Sequence, residues 1–551
     1  MNSNLSFDAM DYILNRMKKI PAKLKLTVCA SMLIGVIGHL FCYTNTLFLH
    51  DAAGIYWDKV SFAEAAVGSR WLFPVYDWLL GGVQLPWLDG LITLLLYGIS
   101  AWLVCEVLDI NRKVPVILIT GLMVLSPTAI SSNCYLSSAP IYASALLFSC
   151  LAVYAFYKWK WGFVWFFLFA FICEGSYAAY IGFSICLFFM RMYMTLLETE
   201  KKQERKLFLE HVEVLIGVLG SLAFSYTFMK VLMRGTEQTF QGRISTVTGF
   251  GISTYLENLN QAIKRVGEVF LPGGNVSYMQ GRPVFYVIFC IGMVAAGLVL
   301  LYFIGKKGLW KKPLCLLLLI VDLLLLPVGM NFFRLLTDAH LLMQFAFITP
   351  WLMGIALNEY MLRQEDGRKT ALNLGKAVYS WIVLFVSVTT LYNWYLLANT
   401  TYEKEAVVYQ SGISLAERLV ERIESTEGYE PGVTPVVFIG DSRERYAPYH
   451  GGFSICSSIT GIGSQWWDTS FTYNYPLIVY IQQHLGIRMN ILNDAGALGM
   501  DLNTLASHIE EYGITIEISE LEEEILAMDS FPSQNSVAYV GDVLVVKFSN
   551  P

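Results

Sequence analysis

Charge is scarce in this 551-residue chain, where Asp, Glu, Lys and Arg together make up 15% of residues. A soluble protein carries about a quarter, so a solvated globular surface, a disordered polymer and a basic nucleic-acid binder are all excluded. Nucleotide chemistry lacks its signatures: there is no D-x-D, no G-x-G-x-x-G after a strand and no G-x-x-x-x-G-K-[ST]. H-E-x-x-H and paired C-x-x-C are missing too, so no metal or cofactor site is indicated. Ten cysteines are present, but nine lie in or beside apolar runs and only Cys456 stands in the tail, so they draw no disulfide framework. No internal repeat is visible, which disfavours a transporter built from repeated halves.

What is there is apolar. Hydrophobic residues reach 55% and mean hydropathy is +0.50. Continuous runs of about 20 residues mark membrane-crossing helices, and the lack of short alternating segments excludes an outer-membrane barrel. Spans are expected at 26–49, 87–108, 114–131, 139–157, 162–173, 177–196, 212–232, 283–304, 313–330, 340–360 and 377–397, giving about eleven crossings. The run from 162 to 196 is divided because Glu174-Gly175 at its middle suits a turn better than lipid-facing helix. The first run is too long for a cleaved signal peptide and lacks an A-x-A site. With residues 1–25 in the cytoplasm, the inner segments carry 22 Lys and Arg and the outer loops before residue 398 carry 9, the asymmetry of a positive-inside topology.

The expected fold is therefore an α-helical polytopic membrane protein with a small extracytoplasmic α/β domain. Residues 1–25 hold an interfacial amphipathic helix, 26–397 form the transmembrane domain with outside loops 50–86 and 233–282, and 398–551 form the tail domain. The tail has 7 Lys and Arg against 21 Asp and Glu. Helices are expected there at 414–425, 477–485 and 503–512, strands at 433–439 and 489–492, and a hairpin of 537–539 with 543–548 around Gly541-Asp542. One or two short helices are expected in loop 50–86 and one at Tyr255–Phe270. Phe438-Ile439-Gly440-Asp441-Ser442 resembles a G-D-S hydrolase block, but Leu505 stands three residues before His508 in place of Asp, so a strand ending in a turn is the preferred reading.

Ionisable residues gather at span ends on the outer side: His50, Asp51, Asp58, Glu64, Arg70, Asp77, Glu174, Arg334, Asp338 and His340. A carboxylate such as Asp51 can take a proton from a hydroxyl and make it a nucleophile. Arginine forks such as Arg70 and Arg334 suit phosphate oxygens. The bland readings are a solvated end residue for Asp51, pairing of Arg70 with Glu64 and of Arg334 with Asp338, a hydrogen-bonded turn for Glu174 with Tyr177 and Tyr180, and a capping role for His340. His39, inside the first span, reads as a satisfied core residue.

Leu49-His50-Asp51 at the end of the first span, Gly68-Ser69-Arg70-Trp71-Leu72-Phe73-Pro74, Gly175-Ser176-Tyr177-Ala178-Ala179-Tyr180 and Arg334 together resemble the integral-membrane glucosyltransferases of bacterial O-antigen and surface-polysaccharide modification, the serotype-conversion type within the GT-C class. That family often has a glutamine where this chain has Ala178. The resemblance implies a multi-pass plasma-membrane enzyme that uses a polyprenyl-phosphate-linked hexose, typically glucose, as donor. The acceptor would be a surface glycan or its lipid-linked precursor. It points to Asp51 as base, Arg70, Arg334 and His340 as donor-phosphate ligands, and His50, Glu174, Tyr177 and Asp338 as substrate contacts, with inversion by direct displacement. Partners are then the bilayer, the lipid-phosphate sugar and the glycan. Two rivals stay open: a carrier that flips lipid-linked glycans without chemistry, and a glycan polymerase or acyltransferase.

Overall fold

The computed structural model describes residues 9–45, 60–81, 85–198, 203–238, 240, 252–270, 278, 283–335, 339–364, 370–440, 454–456, 459, 474–492, 502–511 and 517–550. After a short amphipathic helix α1 (Ala9–Lys18), eight helices are long and apolar enough to cross a bilayer, and a bent pair kinked by 47° makes a ninth. These are α2 (Ala22–Thr44), α5 (Pro86–Val107), the pair α6 (Lys113–Leu125) and α7 (Pro127–Asn133), α8 (Ala139–Lys158), the stretch Gly162–Glu198, α11 (Glu204–Leu232), α13 (Pro283–Lys306), α14 (Pro313–Met330) and α16 (Thr370–Glu424). Between them lie α3 (Phe62–Val67) and α4 (Phe73–Leu80) in the first loop, α12 (Ile252–Phe270) in the second, and α15 (Thr349–Arg363). The expected loop helices are therefore present.

The stretch Gly162–Glu198 folds back on itself. It consists of α9 (Gly162–Tyr177), a 3-10 turn Ala178–Tyr180, and α10 (Ile181–Glu198). The Phe156 ring on α8 lies 6.0 Å from Phe166 and 6.1 Å from Phe188, whereas a straight helix would separate those two by about 33 Å. Tyr177, extended at φ −161°, breaks the helix at the apex. The two limbs straddle α8, which explains why they barely touch each other and why the 162–196 run divides as the sequence suggests. The 3-10 turns Leu341–Met343 and Phe345–Ile348 lead into the 15-residue α15, where the run 340–360 was expected to cross. With Gly162–Glu198 divided in two and the α15 segment added to the eight long helices and the bent pair, the order of segments among the described residues is roughly that of the expected crossings.

Ion pairs gather the basic loops at one end of the bundle. Lys23 pairs with Glu106 at 2.8 Å, Arg112 with Glu359 at 2.7 Å, and Arg191 with Asp109. Lys307 donates to Gln364 at 3.0 Å on the same side. Outward faces are hydrocarbon: Leu298, Leu301 and Leu324 are 63%, 64% and 68% exposed, as lipid contact requires.

At the other end α16 does not stop at residue 397. It runs 55 residues, so the helix expected at 414–425 is its continuation and the transmembrane bundle passes into the tail with no linker. The tail sheet has strand order β2-β1-β4-β3, with β1 Pro435–Ile439, β2 Asn490–Ile491, β3 Val537–Val540 and β4 Val543–Lys547. β1 is parallel to β2 and β4, and β3 with β4 is the expected antiparallel hairpin. Alternate residues face opposite ways. Val436, Phe438, Leu544 and Val546 pack on Leu415, Leu419 and Ile423 of α16, while Val437, Ile439 and Val545 pack on Leu505, Ile509, Leu521 and Ile525. Gly440 ends β1 at φ +80°, in keeping with the strand-and-turn reading; Asp441 and Ser442 lie outside the described residues.

Candidate functional site

The first loop is built to deliver one arginine. Ser61 caps α3 reciprocally with Glu64: the Glu64 N–H donates to Ser61 Oγ at 3.2 Å and the Ser61 N–H to Glu64 Oε2 at 2.7 Å. This hydrogen bonding holds the Glu64 carboxyl below its ordinary value, so Glu64 serves the cap and not Arg70. After Gly68, Ser69 turns left-handed at φ 59°, and the Arg70 N–H returns to Ala65 O at 3.0 Å.

Trp71 then pins the loop to the bundle. Its ring stacks on Phe171 at 4.6 Å, meets Phe228 edge-on at 5.0 Å, and donates through Nε1 to Ser225 at 3.4 Å. It lies directly over Gly175, where a Cβ would come within 2.2 Å of the indole, and the Leu72 N–H donates to Gly175 O at 3.0 Å. The Gly-Ser-Arg-Trp and Gly-Ser-Tyr segments, far apart in sequence, are therefore two sides of one contact.

That contact seats the Arg70 guanidinium 5.3 Å from the centre of the Tyr177 ring, a cation–π arrangement. Tyr177 is wedged edge-on between Tyr142 at 4.7 Å and Tyr180 at 5.7 Å, and Tyr180 stacks on Phe345 at 5.7 Å. Beside them Tyr76 Oη lies 2.6 Å from Ser144 Oγ and 3.0 Å from Ser176 Oγ, tying α4 to α8 and α9. One turn before Tyr177, Glu174 is 1% exposed, with Oε1 2.7 Å from Ser221 Oγ of α11. Its Oε2 has no hydrogen-bond partner among the described residues. A carboxyl oxygen buried with no donor is costly, and it gives the site one polar atom for a ligand to satisfy.

Arg334 enters from α14. Its 3-10 turn, Phe332–Leu335, packs against Ala178–Tyr180, adjoining Tyr177, and against α12. Arg334 Nη1 donates to Asn258 Oδ1 of α12 at 3.4 Å, and Asn258 Nδ2 to Leu335 O at 3.1 Å. His340 begins the next turn, its carbonyl accepting from the Met343 N–H at 2.9 Å. Arg70, Glu174 and Tyr177 are thus gathered into one group, with the Arg334 turn alongside, at the end of the bundle away from the basic loops. His50, Asp51, Asp58 and Asp338 lie outside the described residues. No three metal-ligating side chains converge among the described residues.

Three polar residues at this end escaped the sequence reading. Ser221 sits in an apolar run with nothing to mark it as the partner of Glu174. Gln344 is 1% exposed and its Oε1 has no partner among the described residues, although Nε2 reaches Asn331 Oδ1 at 3.5 Å. Glu405 reads as the solvated start of an acidic tail, yet is 1% exposed because α16 carries it into the bundle mouth. His39 is the satisfied core residue it was expected to be, donating from Nε2 to Val124 O at 3.0 Å and accepting at Nδ1 from Tyr402 at 2.6 Å.

The family model described as Glucosyl transferase GtrII matches residues 40–353, more than half of the chain and every segment just described from the end of α2 to α15. No curated protein and no solved structure matches the chain. The matched range takes in both the loop bearing Arg70 and the turn bearing Arg334, and on that match the chain belongs to the GtrII glucosyl transferase family.

Proposed function

We propose that this membrane glucosyl transferase moves a hexose, glucose in the first instance, from a polyprenyl-phosphate donor to a surface glycan or its lipid-linked precursor. The work is done at the tail-bearing end of the bundle, facing the exterior of the plasma membrane. The observation that carries the reading is Arg70 seated on Tyr177, one turn from the half-satisfied Glu174, with the Arg334 turn packed beside it. The count of 22 against 9 basic residues supports the orientation.

The chemistry follows the GT-C pattern. The lipid chain stays in the bilayer beside the bundle while Arg70, Arg334 and His340 hold the phosphate. Asp51, which follows the end of α2 at Thr44 within about 25 Å of extended chain, takes the acceptor hydroxyl proton. The hydroxyl oxygen bonds to the anomeric carbon as the bond from that carbon to the phosphate oxygen breaks, and the pair of electrons leaves on polyprenyl phosphate. The arginines neutralise that growing charge in a site of low dielectric. One displacement inverts the anomeric centre. Glu174 accepts a sugar hydroxyl through Oε2, with Tyr177, His50 and Asp338 lining the remainder.

Membranes containing the protein, labelled polyprenyl-phosphate-glucose and surface glycan test this. The wild type releases polyprenyl phosphate and labels the glycan, and Asp51→Asn binds donor but labels nothing. Full transfer by Asp51→Asn removes it as base; a wild type that relocates the donor without cleaving it is a carrier.

A further inference from the structure

One polar pair lies far from this site, toward the basic end. Asp322 is the one charged residue in the apolar helix α14 and is fully buried. His211 of α11 sets Nε2 at 3.1 and 3.2 Å from its two carboxyl oxygens. His211 Nδ1 is 2.7 Å from Leu207 O. A carbonyl only accepts, so Nδ1 carries a hydrogen and Nε2 faces the carboxyl group, with one proton shared between the two partners. The ring of Phe188 meets the imidazole edge-on at 5.2 Å and covers the pair.

Such a pair is poor glue. Desolvating it offsets most of the attraction, and leucines of similar volume commonly match or exceed its contribution to stability. What it supplies is register between two helices, and these two each carry half of the candidate site. About ten residues and 15 Å farther along α11, Ser221 meets Glu174 and Ser225 receives the Trp71 indole, fixing the Arg70 half. α14 runs on into the Arg334 turn. α11 and α14 otherwise touch only sparingly.

We propose that His211 and Asp322 are positioning residues that set the spacing between the Arg70 half and the Arg334 half of the donor-phosphate site. The inference rests on the transfer reaction proposed above. The full-length protein in detergent tests it through the double variant His211→Leu/Asp322→Leu and the exchanged variant His211→Asp/Asp322→His. With the leucine pair, thermal stability stays at or above wild type, the donor KM rises about tenfold, and kcat changes less than twofold. The exchanged pair brings the donor KM back to within about threefold of wild type. A leucine pair with wild-type donor KM overturns the proposal, as does an exchanged pair that folds but binds donor no better than the leucine pair. Should the leucine pair fail to fold, the exchanged variant alone decides by the same threshold. A wild type with no transfer brings down the proposed reaction instead, so the two failures are distinct.

Discussion

Placing a single methyl group on Gly175 probes the link between the first loop and the Gly175-Ser176-Tyr177 segment at the end of α9. An alanine Cβ there would stand 2.2 and 2.3 Å from two indole carbons of Trp71. Trp71 cannot swing away at little cost, since it is 7% exposed and held by Phe171, Phe228 and Ser225. Overpacking of this kind costs roughly 1–3 kcal/mol. The displaced ring carries its neighbour Arg70 off Tyr177, where the spacing is now 5.3 Å. If Arg70 makes a charge-assisted hydrogen bond to the donor phosphate, losing it costs about 1.5–3 kcal/mol, roughly 10- to 150-fold in kcat/KM. Gly175→Ala should therefore fold, lose a few degrees in thermal midpoint, and drop transfer to labelled glycan by that factor. Adding Trp71→Phe, a smaller ring, should recover a good part of the activity. Gly175→Ala with wild-type kcat/KM, or a double variant no better than the single, refutes the claim that this contact seats Arg70.

Two further predictions concern the parts around the site. Gly440→Ala combines a left-handed backbone at φ +80° with a Cβ 2.3 Å from Ser549 O, and should destabilise the tail by roughly 2–4 kcal/mol, read as earlier proteolysis of the sheet. The Glu64 carboxyl is held below its ordinary 4.5 by the Ser61 N–H, so the cap on α3 is fully formed above that pH and lost as pH falls through the lower folded value; amide exchange in residues 62–67, corrected for intrinsic rate, should quicken only on the acid side, and a flat profile from pH 3 to 6 contradicts the assignment.

How much was legible follows from how far each feature depends on local pattern. The spans, the loop helices and the tail strands announce themselves by apolar length or two-residue alternation, and the structure places most of them within a few residues of expectation; α11 starts at Glu204, ahead of the expected 212, and α16 runs on to Glu424, well past the expected 397. The break at 174–177 was visible because a carboxylate is costly against lipid and the glycine beside it weakens the helix, so the pair suits a turn better than a lipid-facing helix. The helix Ile518–Ala527 was missed, because ISELEEEILA is acidic and shows only Leu521 and Ile525 as its buried stripe. Its C-terminal carbonyls are met by Lys547 Nζ, 2.7 Å from Ile525 O and 2.8 Å from Met528 O, a partner that no local pattern reveals. Arg70 and Tyr177 were both singled out, but not that Trp71 on Gly175 joins them, since a contact across the fold leaves no periodicity. Asp322 is marked in the sequence as the one charge in the apolar run 313–330, whereas its partner His211 lies among charged residues at the start of α11 and carries no such mark.

A structure of the full chain with polyprenyl-phosphate-glucose bound measures the central claim most directly. The account predicts the donor phosphate within hydrogen-bond distance of both Arg70 and Arg334, the sugar beside Glu174 Oε2, and Asp51 facing the anomeric carbon. A phosphate bound at the basic end of the bundle, or held by neither arginine, contradicts it.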